Sequence, residues 1–267
     1  MSFAQRFLLI ALSTFVLAKA EAITLDWDGV TWTAGSLSNA FDIDPSKAGN
    51  DITVTVSGNT AQLQPELVAP NPMTPAITTD FQGGLATAPN TLCLAVNFTN
   101  QSQYITVTID FSALYTAGVQ NVSFTLFDID YVNSSSSNSY QDQLRSIMAT
   151  SIDGTTLVAP TITTSVANTV SGSGLTQVVN GASSANDLDP ASGNGNVTIS
   201  FGTAAIRSLT FTYGSGTSPL ADPTYQHVGI HDISFTPVPE INPAWSAVGS
   251  CLVAAALILR HSAKFRK

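Results

Sequence analysis

The chain has 267 residues, with nine Lys and Arg against eighteen Asp and Glu, for a net charge of −9. An acidic chain with no basic face excludes nucleic acid as a partner, because phosphate binding needs clustered cations. Its two cysteines, Cys93 and Cys251, fall in segments of different character, so no disulfide framework staples the fold.

Met1 to Ala22 reads as a secretory signal peptide. Arg6 gives the cationic start and Phe7 to Leu17 the apolar core. Ala18-Lys19-Ala20-Glu21-Ala22 then offers small residues for cleavage after Ala22 or Ala20. Phe7 to Leu17 falls well short of the roughly twenty apolar residues that span a bilayer. The protein is expected to be exported.

The body runs from residue 23 to 236. Of the acids only Glu21 and Glu240 fall outside it, and of the cations only Lys47, Arg145 and Arg207 fall inside, so the body carries about −13. Every body acid except Glu66 is aspartate, which suits turns and loop ends and disfavours helices.

In chain order, Ile23 to Trp27 and Val30 to Thr33 flank Asp28-Gly29, a short-hairpin signal. Ile52 to Val56 alternates and predicts a half-buried strand. Val68 to Pro75 is proline-rich and predicts a long surface loop. Leu92 to Phe98, Tyr104 to Phe111 and Val119 to Tyr131 are the next strands, followed by a polar loop over Ser134 to Ser139. Leu144 to Ile152 turns at Asp153-Gly154 into Thr155 to Ala159. The Ser/Thr/Gly/Asn-rich stretch Thr161 to Gly195 holds weak strands near Val166 to Val170 and Thr176 to Val179. Asn196 to Phe201, Ile206 to Tyr213 and Val228 to Phe235 close the set. Many short strands with Gly/Asn/Asp turns and no amphipathic helix predict an all-β fold, an antiparallel β-sandwich of jelly-roll type in a single domain.

Within Val119 to Tyr131, Asp128 and Asp130 continue the face of Val122, Phe124 and Leu126. Two carboxylates side by side at a strand end repel unless a cation sits between them. Ca²⁺ takes oxygen ligands, and Asp142 would supply a third carboxylate. The other reading has these aspartates bonding to turn amides. Trp27, Trp32 and Tyr131 are candidate platforms for stacking on sugar rings, or otherwise core residues. His227 and His231 lie four apart in an alternating stretch, which at strand rise puts them about 13 Å apart, too far for one zinc ion. No Gly-x-Ser-x-Gly elbow or phosphate loop is present, Cys93 has no local histidine, and Glu66 is the only glutamate available to an acid–base pair. These observations disfavour an enzyme, with a polysaccharide hydrolase the remaining catalytic reading.

The last thirty residues have three compositions in sequence. Val238-Pro239-Glu240-Ile241-Asn242-Pro243 is a proline-punctuated turn, Ala244 to Leu259 an uncharged apolar run, and Arg260 to Lys267 a basic end. The run is short for a transmembrane helix but uninterrupted, and the basic end is expected to stay cytoplasmic. A buried C-terminal helix and a permanent single-pass anchor are the alternatives. The layout resembles the PEP-CTERM sorting signal of Gram-negative bacteria, over residues 237–267, with Ile241 standing where the commonest motif has a second proline. The resemblance implies recognition of Val238, Pro239, Glu240 and Ile241 by an exosortase, a membrane protease-transpeptidase. The body would be anchored to the membrane beforehand, then released to the cell surface or an extracellular polysaccharide matrix. The pattern Phe124-x-Leu126-x-Asp128-Ile129-Asp130 is also similar to β-sandwich bodies that accompany such tails. The sequence thus points to an exported structural or adhesion protein of the cell surface or matrix. The alternative is a calcium-dependent carbohydrate-binding module.

Overall fold

The computed structural model describes residues 21–135, 138–182, 189–217 and 220–240. The compact unit, Glu21–Val238, is all-β: among the described residues there are seventeen strands, three 3-10 turns and no α-helix. In chain order the strands are β1 (Ile23–Leu25), β2 (Ser38–Phe41), β3 (Ile52–Gly58), β4 (Ala76–Thr78), β5 (Thr91–Val96) and β6 (Tyr104–Asp110). Then come β7 (Val119–Phe127), β8 (Tyr131–Ser135), β9 (Asn138–Ser151), β10 (Leu157–Val158), β11 (Thr161–Thr164) and β12 (Asn168–Ser171). The last five are β13 (Val178–Gly181), β14 (Val197–Ser200), β15 (Ile206–Ser215), β16 (Gln226–Ile230) and β17 (Ile233–Pro237).

All ladders are antiparallel, and they form two halves of one curled sheet. The first half runs β4, β5, β16, β7, β14, β11. Its β17 follows β16 along β7 and pairs in turn with β1. The second half runs β2, β3, β6, β15, β9, with β10 and β13 on β9 and β12 on β13. The pair Ile206–Val119 joins the halves at a corner. Ring contacts between Phe124 and Phe211 (5.7 Å) and between Phe111 and Phe235 (5.0 Å) show the two halves facing each other across the core.

Alternation decides which side chains enter that core. In β6 Ile105, Val107 and Ile109 are buried while Thr106, Thr108 and Asp110 remain half-exposed. Removing each such aliphatic side chain from water contributes roughly 1.5–3 kcal/mol. β5 departs from this rule, since all six of its residues are buried. A second layer covers its outer side: Phe81, Cys93, Ala95 and Phe127 form a small separate apolar cluster against Tyr225.

Several expected elements fall elsewhere. Val30 to Thr33 is not a strand; the turn at Asp28-Gly29 forms, with Gly29 N–H bonded to the Asp26 carbonyl, but β1 pairs with β17 instead. The run Val119 to Tyr131 breaks at Asp128, whose φ is +67°, and resumes as β8. In the expected polar loop at 134–139, residues 134 and 135 belong to β8 and residues 138 and 139 to β9, the two strands pairing at Ser135 and Asn138. β2, β4 and β11 lacked a strong alternating signal. At the C-terminal edge Val238 N–H bonds the Gly118 carbonyl at 3.0 Å, and Pro239 and Glu240 are exposed. Residues 1–20 of the signal peptide, Ile241, the apolar run 244–259 and the basic end 260–267 lie outside the described residues. No helix among the described residues is long and apolar enough to cross a membrane.

Candidate functional site

The second layer over β5, made by Phe81, Phe127 and Tyr225, is extended by the proline-rich segment. Leu63 bridges to Val96 and Pro65 to Met73, so residues 63–75 form a flap rather than a free surface loop. The flap carries Glu66 onto the outer side of the sheet, where the residue is 1% exposed. Its Oε2 accepts from the Cys93 thiol at 2.6 Å, and its Oε1 accepts from Leu67 N–H at 2.7 Å and lies 3.6 Å from His227 Nδ1. His227 Nε2 meets Asp128 Oδ2 at 2.9 Å on its other side. The rings of Phe81 and Tyr225 pack on this imidazole at 4.9 and 5.8 Å. Gly229, two residues along β16, makes room for Phe81, since a Cβ there would press on its ring at 2.6 Å.

The result is an imidazolium held between two buried carboxylates. Burial alone would lower the His227 pKa, but bonding to Asp128 and Glu66 raises it to about 10. Burial likewise acts to raise the Glu66 carboxyl, and His227 and Cys93 together bring it below its ordinary value. The Cys93 thiol moves the other way: burial, then the Glu66 carboxylate, push it up, so it is no nucleophile at neutral pH. These four residues come from four distant parts of the chain, and sequence reading did not connect them. One signal was available. Leu92 to Val96 is apolar without alternation, so something had to cover its second face.

Of the three aspartates expected to share calcium, Asp128 and Asp142 bind internal partners, and Asp130 lies beside Asp142. Positive φ at Asp128 turns its carboxylate toward His227. Asp142 is 1% exposed; its Oδ2 accepts from Asp130 N–H at 3.0 Å, and its Oδ1 accepts from Tyr213 O–H at 2.6 Å and Gln226 Nε2–H at 2.8 Å. Burial first, and then the Asp130 carboxylate, push the Asp142 pKa up. Gly181 of β13 lies against this corner, where a methyl would overlap the Asp130 carbonyl oxygen. Among the described residues, no group of three or more His, Cys, Asp or Glu side chains is placed to hold a metal ion. Asp232 stands apart, accepting from Trp27 N–H at 3.1 Å near Asp26 and Asp28. His231 packs on Phe127 at 5.0 Å, away from the partners of His227.

The expected stacking aromatics are core residues. Trp27, Trp32 and Tyr131 are 1%, 8% and 6% exposed, and the two tryptophans pack on each other and on Phe41. None presents a ring face to a sugar. The exposed strand aromatic is Tyr104 of β6, 39% exposed, with the Arg145 guanidinium 5.3 Å from its ring centre. A bulge at Ser146, where φ is +51°, leaves both Arg145 and Met148 on the outer side of β9 while Ile147 stays buried.

Both outer faces of the curled sheet carry rows of hydroxyls, joined on the second half by Asp110 of β6. On the first half Thr24, Ser234, Ser123, Ser200 and Thr161 stand opposite one another across five strands. On the second half Ser38, Thr55, Thr108 and Thr210 form one row; Ser57 and Thr106 form the next, ending at Thr212, which is buried and donates its hydroxyl to the Arg145 carbonyl at 2.9 Å. Tyr104 follows, opposite Gly214, which in turn pairs with Gln143.

No family model matches the chain, and no curated protein does. Among solved structures it is similar to a family 28 carbohydrate-binding module specific for non-crystalline cellulose, at 11% identity and TM-score 0.28, covering 60% of this chain and 78% of that one. A family 11 module from Clostridium thermocellum, in complex with a β-1,3-1,4-mixed-linked tetrasaccharide, gives 11% identity and TM-score 0.28, covering 84% and 100%. The N-terminal domain of the Streptococcus gordonii adhesin Sgo0707 gives 11% identity and TM-score 0.31, covering 81% of this chain and 58% of that domain. At these scores the likeness says nothing of what this chain binds.

Proposed function

We propose that the chain is an exported structural or adhesion protein of the cell surface or extracellular matrix, delivered by an exosortase-type sorting signal. The observation from the body that supports this is the finish of its surface. Both outer sheet faces are rich in Ser and Thr, with Asp110 and Arg145 as charged members of the second, while Glu66, Asp128, Asp142 and His227 are spent on internal bonds. The sorting reading rests on the Val238-Pro239-Glu240-Ile241 motif and the apolar and basic segments after it. Intact mass of the protein recovered from its host tests it. The expected product begins at Glu21 or Ile23 and ends near Pro239; a chain retaining Ala244 to Lys267 would overturn the processing.

A second reading is carbohydrate binding. It is favoured by the exposed Tyr104 beside Arg145 on a hydroxyl-covered face. An aromatic ring supplies an apolar platform for a sugar face, and hydroxyls and guanidinium supply bonds to its edges.

A further inference from the structure

We propose that the outer face of β3, β6, β15 and β9 is the contact surface for an uncharged polysaccharide chain, with Tyr104 as its stacking platform. The proposal rests on the carbohydrate-binding reading above and gives it a location and a ligand class. Two features distinguish this face from its counterpart on the other half of the sheet. Tyr104 is exposed at the end of the hydroxyl rows, and Arg145 holds its ring from one side. Opposite it Gly214 has no side chain, and the Arg145 guanidinium lies over that position, its Nη2 3.8 Å from where a Cβ would stand.

The occupant follows from chemistry and dimensions. Each Thr hydroxyl both donates and accepts, which matches a ligand whose own groups are hydroxyls. The row from Ser38 to Met148 crosses five strands. At about 4.8 Å per strand that is roughly 19 Å, longer than one sugar ring and suited to a polymer. A polyanion is disfavoured, because the body is strongly acidic and repels like charge.

The test is affinity electrophoresis of the full chain through gels containing hydroxyethylcellulose, dextran or polygalacturonate. At least one neutral polymer is expected to retard the protein, and polygalacturonate is not. Tyr104→Ala should weaken the retardation roughly threefold to tenfold, the worth of an aromatic contact. Thr108→Glu, in the middle of the rows, should abolish it, while Thr163→Glu on the opposite face leaves it unchanged. Retardation that survives both Tyr104→Ala and Thr108→Glu overturns the location and leaves carbohydrate binding standing. No retardation by either neutral polymer overturns the carbohydrate reading itself, and stronger retardation by polygalacturonate overturns the ligand class. Thermal melting accompanies each variant. If Thr108→Glu lowers the midpoint, Tyr104→Ala at the solvent-facing ring decides alone.

Discussion

Two carboxylates, Glu66 and Asp142, are each 1% exposed, and the fold handles them in opposite ways. Glu66 shares a cation, His227, with Asp128. Asp142 is held instead by a phenol, an amide and a backbone N–H. The consequence is a pKa moved down in one place and up in the other. A buried carboxylate therefore carries no fixed meaning, because its partners decide whether acid loosens or relieves it.

The signs follow from linkage. Glu66, lowered from 4.5, contributes stability above that value and loses it as pH falls through its folded pKa. His227, raised from 6.5 to about 10, contributes fully below 6.5 and loses it as pH rises toward 10. Asp142, raised from 3.8, contributes below 3.8 and loses it as pH climbs through its elevated folded value. The largest test of the contrast removes the cation. His227→Ala leaves Glu66 and Asp128 without it, and breaking a buried pair this way costs about 3–5 kcal/mol. For a domain of this size that is a drop of roughly 10 °C in melting midpoint. The same variant should lose the wild-type decline in stability between pH 6.5 and 10, and amide exchange should quicken first in the flap 63–75. A decline that persists in His227→Ala would assign it to another group.

Tyr213→Phe probes the neutral centre and should cost less. Removing the phenol takes one donor from a buried carboxylate, worth about 1–3 kcal/mol. Because Asp142 binds its proton more readily in the fold, the penalty should shrink as pH falls through its elevated folded value. Acid should relieve His227→Ala too, because the orphaned Glu66 and Asp128 carboxylates can take up protons. What separates the centres is the decline between pH 6.5 and 10, which His227→Ala removes and Tyr213→Phe keeps; its loss in Tyr213→Phe would remove the distinction.

The sheet was legible in the sequence where one face is wet. β3 and β6 alternate Thr with Val or Ile, and both lie where alternation put them. Legibility failed where a second layer covers the first. Leu92 to Val96 reads as apolar throughout, which implies a cover without naming it. The cover is assembled from Phe81, Phe127 and Tyr225, and from Glu66 on a segment whose prolines suggested a plain connector. The two tryptophans read equally as core residues or as platforms because ring chemistry is the same inside and out; the packing on Phe41 decides for the core. Tyr104 could be placed on the outer face by counting from Ile105, but its Arg145 neighbour depends on the Ser146 bulge, and bulges leave no clear mark in sequence.

The smallest expected effect concerns calcium. If Asp128, Asp130 and Asp142 shared an ion, calcium at a hundredfold excess over its dissociation constant would add about 2.7 kcal/mol, several degrees of melting midpoint. The geometry opposes that gain. An ion would have to displace Tyr213, Gln226 and Asp130 N–H from the Asp142 carboxylate and draw Asp128 away from His227. Each displaced donor would then be buried without an acceptor, at about 1–3 kcal/mol apiece, which exceeds what the ion returns. Melting of the full chain in millimolar calcium and in chelator should therefore agree within about 1 °C, since binding too weak to rearrange the site adds almost nothing. A larger rise that vanished in Asp142→Asn would show that the aspartates can exchange their internal partners for a metal, and that the contrast between the two centres belongs to the calcium-free protein alone.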